Sequence, residues 1–146
     1  MDILADTNII VRRVHRKAAK YREVIRALHA LQVRGDRICL VPQNLYEFWA
    51  VATRPLANNG LGLTPAQVHR VTGRIEKLGT LLRDPPELYD VWRQIVVSYG
   101  VSGKKTHDAR LVAAMAVHGI TQILTYNADD FTRYAGIHVI RPASFD

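Results

Sequence analysis

Short apolar runs alternate along this chain with longer segments of helical spacing. "DILA" at residues 2–5 reads as a first strand. Tyr21, Val24, Ile25, Leu28 and Leu31 fall on one face of a helix over residues 18–32. Gly35-Asp36 marks a turn, and "RICLV" reads as a second strand. Pro42 opens the helix "PQNLYEFWAVAT", which stops before Pro55. After the loop "ANNGLGL", Thr64-Pro65 with Gln67 form a capping box, and Val68, Val71, Ile75 and Leu78 line the helix that follows. "GTLLRD" reads as a short third strand. Leu88, Val91, Trp92, Ile95 and Tyr99 mark a further helix, ended by Gly100. An Ala-rich helix runs from about His107 to His118, and "QILTY" and "GIHVI" supply the fourth and fifth strands. This order predicts one α/β domain over residues 1–146, with right-handed crossovers and a mostly parallel sheet covered on both faces. In such sheets, sites form at the carboxyl ends of the strands.

Acidic residues sit at those ends. Asp6 closes the first strand, and Thr7-Asn8 follow it. By itself Asp6 also suits a turn that hydrogen-bonds its own backbone. Glu47 lies on the helix after the second strand, in a sector with Gln43, Asn44, Val51 and Arg54. Periodicity alone gives that sector to solvent. Asp108 stands in the first turn of the Ala-rich helix, where the helix dipole favours an acid for its own sake. In "TYNADDFTRY", Asn127 is placed to cap a short helix with Asp129 and Asp130 in its first turn. Phe131 packs inward in this reading and fixes the direction of Asp130 better than that of Asp129. A parallel sheet would bring these acids to one edge. Gathered carboxylates repel, and an oxygen-only set suits a hard cation such as Mg²⁺ or Mn²⁺.

Composition adds a partner class and removes others. The 146 residues carry 20 Lys and Arg against 13 Asp and Glu, a net charge of +7, which favours a polyanion. Arg12, Arg13, Arg16 and Lys17 flank the first acid, and Lys104, Lys105 and Arg110 flank Asp108. The single cysteine, Cys39, lies in an apolar run and cannot form an internal disulfide, as expected for a reducing cytoplasm. No leader pattern or membrane-spanning run is visible. Zinc spacing, a phosphate-binding Gly-rich loop and a Ser-centred nucleophile elbow are all absent from the sequence.

Taken in order, "LADTNII", "NLYEFW", "HDARLVAAMAVHGI" and "ILTYNADDF" resemble the PIN-domain ribonucleases, particularly the VapC toxins of bacterial toxin–antitoxin pairs. The likeness runs from the first residues to about residue 142. It implies a three-layer α/β/α sandwich and Mg²⁺-dependent endoribonuclease activity on RNA. The metal site it implies carries over to Asp6, Glu47, Asp108 and Asp130. Many relatives have an acid where this chain has Asn127, which is the alternative holder of metal-bound water or of a carboxylate. Thr7, Asn8 and Thr125 match polar positions that support the metal shell or the substrate phosphate. The resemblance further implies a small antitoxin partner and a homodimer. The aromatic helices with Tyr46, Phe48 and Trp49 and with Trp92 and Tyr99 are the candidate dimer surfaces, and core packing explains these residues equally well. Two rivals stand beside it. One is a PIN-like module that binds RNA or protein without catalysis. The other is a receiver-like signalling domain, for which Asp84 is the nearest phosphorylatable acid.

Overall fold

A computed structural model describes residues 1–146. Five strands, β1 (Asp2–Ala5), β2 (Arg37–Leu40), β3 (Thr80–Leu81), β4 (Gln122–Leu124) and β5 (His138–Ile140), form one sheet in the order β3-β2-β1-β4-β5. Every pairing is parallel. Six helices cover it: α1 (Thr7–Val14), α2 (Tyr21–Val33), α3 (Pro42–Thr53), α4 (Pro65–Leu78), α5 (Leu88–Ser98) and α6 (Lys105–Val117).

The strand residues sort by the two-residue period of a pleated chain. Ile3, Ala5, Ile38, Leu40 and Leu124 point to one face and pack with Ile9 and Ile10 of α1, Val24 and Leu31 of α2, Phe48 of α3 and Val68 and Ile75 of α4. Leu4, Cys39, Val41 and Ile123 point to the other, against Leu88 of α5 and Leu111, Val112 and Met115 of α6. Both faces are thus buried, and the strands read as apolar runs rather than as alternating ones. The three-layer α/β/α sandwich anticipated from the sequence is the observed architecture.

Several boundaries differ from the sequence reading. The segment after Asp6 is itself a helix, α1, whose short amphipathic stretch of Ile9, Ile10 and Val14 lies between charged residues. The Ala-rich helix begins at Lys105, two residues before His107. Asn127 precedes a single 3₁₀ turn, Ala128–Asp130, and its side chain makes no capping bond. Other local signals appear as expected. Thr64 Oγ1 accepts from the Gln67 N–H (3.2 Å), and Gln67 Oε1 accepts from the Thr64 N–H (2.9 Å). Phe48, for which a dimer surface and core packing are equally open from the sequence, is wholly buried in the core. Tyr46, read as lying on an apolar side of its helix, is 65% exposed.

Strand order reverses direction at β1, with β2 on one side and β4 on the other. This is the switch point where the loops of a parallel sheet part and leave a crevice. The ladder runs on past the strands there: the Asp6 N–H donates to Leu124 O (3.0 Å), and the Thr125 N–H donates to Ile140 O (3.1 Å). Asp6 and Thr125 are therefore held by the backbone at the mouth of that crevice.

Candidate active site

Asp6 is 7% exposed and buried among polar neighbours. Its Oδ1 accepts the Thr7 N–H (2.7 Å). Its Oδ2 accepts the Thr125 hydroxyl (2.6 Å) and Asn8 Nδ2 (3.1 Å). The local turn role and the site role thus coexist, because the carboxylate caps α1 and also faces the crevice. Burial nevertheless raises its pKa above the usual carboxylate value, against those three hydrogen bonds, and the charge of Asp130 adds to the rise.

Glu47 is brought beside Asp6 rather than turned to solvent. The Thr7 hydroxyl donates to its Oε1 (3.0 Å). Burial raises its pKa; the Thr7 hydrogen bond opposes that rise, the Asp6 charge adds to it, and nearby His107 lowers it. Asp108 enters from α6. Its pKa is pushed up to about 6, first by burial and then by the charges of Asp130, Asp6 and Glu47, with Lys105 opposing. Asp130 accepts from Lys105 Nζ (3.3 Å). Its charge acts on both Asp6 and Asp108, whereas neighbouring Asp129 is exposed. The four acids predicted as one group therefore share one electrostatic environment, although they come from four separate segments.

The donor set is all oxygen and carries excess negative charge, which suits a hard divalent cation. No three His, Cys, Asp or Glu side chains converge into a ready-made ligand cage. Mg²⁺ does not require one, since it dehydrates reluctantly and is held through one or two carboxylates, its remaining contacts being water and phosphate oxygens. The residues therefore fit such an ion by chemistry and charge.

Two residues of the site stand in the sector of Glu47 in the sequence reading but receive no role there. Asn44 is fully buried, donates from Nδ2 to Thr7 Oγ1 (3.4 Å) and accepts the Val41 N–H (2.9 Å). Gln43 is 5% exposed; its Nε2 donates to His107 O (2.8 Å) and its Oε1 accepts from Arg110 Nη1 (3.0 Å). Both precede Glu47 by three or four residues, so they share its helix face. That spacing was the available signal.

The basic candidates divide. Arg12 donates to Asn8 O (3.2 Å), and its guanidinium lies 4.5 Å from the Tyr126 ring centroid. Tyr126 in turn donates its hydroxyl to Glu23 (2.8 Å) and its N–H to Asn8 Oδ1 (3.3 Å). Arg110 bonds Asp84 (3.0 Å) as well as Gln43, so the acid considered for a receiver-like domain is one half of an ion pair. Arg13 lines an apolar groove between α1, α2 and α4, where Ile9, Ile25, Leu28 and Ile75 also lie. His15 and Arg16 are exposed at the end of α1, as is Lys17 beyond it. Lys104 is exposed, while Lys105 faces the acids.

No family model and no curated protein matches this sequence. Solved structures do. VapBC2 from Rickettsia felis, bound to a DNA fragment from its promoter, aligns with a TM-score of 0.69 at 12% identity, covering 97% of this chain and 98% of that one. DNA-bound VapBC from Salmonella typhimurium aligns with a TM-score of 0.69 at 18% identity, covering 97% and 98%. The sarcin–ricin loop cleaving toxin VapC20 from Mycobacterium tuberculosis aligns with a TM-score of 0.63 at 14% identity, covering 88% and 92%. The fold is the PIN fold. At these identities the likeness speaks for the PIN architecture over nearly the full chain, and the chemistry must be argued from the acids themselves.

Proposed function

We propose that this chain is a metal-dependent endoribonuclease and the VapC-type toxin of a toxin–antitoxin pair. The observation that carries the reading is the gathering of Asp6, Glu47, Asp108 and Asp130 at the switch point of a PIN sheet, three of them with proton affinities raised by burial and by one another. A stable fold seldom retains mutual repulsion of this kind unless a cation relieves it. The neighbours of the same fold, among them a toxin that cleaves the sarcin–ricin loop, support the substrate class.

In this reading Asp6, Glu47, Asp108 and Asp130 would hold Mg²⁺ or Mn²⁺ between them, one or two by direct contact and the others through water. When bound, such an ion polarises the phosphate and makes its coordinated water a better nucleophile. The chain's own residues do the rest. Thr7, Asn8 and Thr125 fix Asp6 through its hydrogen bonds. Glu47 and Asp108, whose proton affinities are raised, are suited to take the proton of an attacking water. Exposed Lys104, with Arg16 and Lys17, provides cations for the RNA backbone.

An antitoxin partner is expected from the VapBC and FitAB structures that share the fold, and the family resemblance implies that it is a small protein. The groove between α1, α2 and α4, of about 220 Å³ and apolar apart from Arg13, His29 and Gln32, suits apolar side chains of an acidic segment. A homodimer belongs to the same reading, and light scattering of the purified chain tests it. The activity itself is tested by incubating total RNA with the protein in Mg²⁺ and in chelator. Cleavage that needs Mg²⁺ and disappears in folded Asp6→Asn supports the reading; cleavage unchanged in that variant overturns it. A module that binds RNA without cutting it would give binding and no products.

A further inference from the structure

A second, open cleft, lined by none of the four acids, adjoins them through the first turn of α6. It lies between α5, the Pro85-Pro86 segment before it and the first turn of α6, and its volume is about 650 Å³. That falls within the roughly 300–1,000 Å³ of small-ligand clefts. Two aromatic rings form one wall. Tyr89 is 61% exposed, and Trp92, three residues on, presents its ring on the same helix face. Their centroids are 6.0 Å apart with planes inclined at 36°. The indole N–H of Trp92 donates to Thr106 O (2.8 Å), which ties its ring to α6.

Tyr89 is not spent on the core. Leu88 of the same helix is buried, and Val91, Trp92 and Ile95 pack partly buried against that cluster, whereas Tyr89 remains in solvent. The opposite wall carries charge and hydrogen-bond donors. Arg110 is held there by Asp84 (3.0 Å) and Gln43 (3.0 Å), and His107 is exposed. Cleft and acids share the first turn of α6: His107 lines the cleft and acts on Glu47, and the next residue is Asp108.

Exposed aromatic faces beside a planar cation are the chemistry that holds an unpaired nucleobase, since every base has a π-face and edge acceptors. We propose that this cleft is a nucleobase subsite, in which an unpaired base of the RNA strand engaged at the acids stacks on Tyr89 and Trp92 while Arg110 and His107 address its edge or its sugar. The subsite rests on the ribonuclease reading for its substrate, and it confines cleavage to single-stranded or flipped-out positions. Pairing in a duplex would withhold the base from the rings.

The test uses the full chain carrying Asp6→Asn, so that bound RNA is not cut. Short single-stranded oligo(A) and oligo(U) are titrated while tryptophan emission is followed. Stacking quenches emission, the quench is lost in Trp92→Phe, and an abasic ribose-phosphate chain of equal length produces none. Tyr89→Ala weakens oligonucleotide binding by about 5- to 100-fold, from the usual worth of one base–aromatic stack. Tyr89→Phe restores binding, and the abasic chain binds both Tyr89 forms equally. In the otherwise native chain, Tyr89→Ala raises KM with kcat unchanged. Cleavage of RNA with KM and affinity indifferent to Tyr89→Ala overturns the subsite and leaves the ribonuclease reading standing. A Trp92 quench by oligonucleotide in a protein that cuts no RNA does the reverse. Unaltered Trp92 emission with every oligonucleotide also overturns the subsite and leaves the cleft to a protein partner.

Discussion

Replacing Asp108 by Asn is expected to make the metal-free protein more stable at neutral pH while removing its activity. The carboxyl group titrates near 6 in the folded chain against an ordinary 3.8, so ionising it costs the native state. Two units correspond to about 3 kcal/mol for a group fully withdrawn from water. Asp108 is only partly buried, and solvent screening reduces the figure to about 1 kcal/mol. The sign follows from proton counting. Between about pH 4 and pH 6 the native chain retains a proton that the unfolded chain has released, so stability falls as pH rises through that window and is level above it. Asparagine never ionises and removes the fall. At pH 7.5 in chelator, Asp108→Asn should therefore melt about 3 °C above the parent, and at pH 4 the two should coincide. Urea denaturation at both pH values measures the difference directly. Mg²⁺ should then reverse the ranking, because a cation that binds only the folded state stabilises the parent by mass action and the variant less. A variant that is less stable at pH 7.5, or equally shifted at both pH values, would refute the electrostatic account of the site.

Asp130→Asn should raise the Mg²⁺ concentration needed for half-maximal cleavage well beyond the effect of Asp129→Asn, because Asp130 acts on Asp6 and Asp108 while Asp129 is exposed; metal titration of activity checks the order. Lys104→Ala should lower the salt slope of single-stranded RNA binding by about 0.7, the value of one phosphate contact, equally for unrelated sequences. Lys105→Ala should act differently: it removes the partner of Asp130 and should raise the Asp108 pKa further, seen as a titration midpoint moved to higher pH in a carboxyl titration by NMR. Gly60→Ala should destabilise the fold by at least about 1–3 kcal/mol, since a Cβ there would overlap the Arg54 carbonyl; thermal melting measures it.

The sheet and most helices were legible because burial is written locally. "DILA", "RICLV" and "QILTY" carry no charge inside their apolar stretch, and Thr64, Pro65 and Gln67 announce α4 at one glance. The helix α1 was not, because Asp6, Thr7 and Asn8 look like a turn and the helix runs directly into "RRVHRK". Asp130 was separable from Asp129 because Phe131, which is 1% exposed, fixes the turn. Glu47 was harder. Periodicity divides a helix into apolar and polar sectors, but a polar sector may equally face water or another polar wall. Here Gln43, Asn44 and Glu47 face Thr7, His107 and Arg110. Pairings such as Arg110 with Asp84 and Tyr126 with Glu23 join distant segments, and no local pattern encodes them. The cations near the acids were legible as a group, but their separation into Lys105 beside Asp130, Arg12 over Tyr126 and exposed Lys104 required the fold.

The question of why the acids are tolerated has an answer in how unequally they are solvated. Asp6 is the most buried and receives the most help: a backbone N–H, a hydroxyl and an amide all donate to it. Glu47 has the Thr7 hydroxyl, and Asp130 has Lys105. For Asp108 the only opposing influence among the leading ones is the charge of Lys105, and burial and three neighbouring carboxylates outweigh it. The residual strain is therefore largest on one carboxyl at the start of α6, with lesser rises on Asp6 and Glu47. Concentrated strain of this kind is useful only if something relieves it on demand. A proton does so below about pH 6, and a divalent cation would do so at neutral pH, where that proton has already left. The same residue that weakens the fold would then be the one most sensitive to cation binding, which would make Asp108 a reporter of metal binding for which cation and proton compete near pH 6.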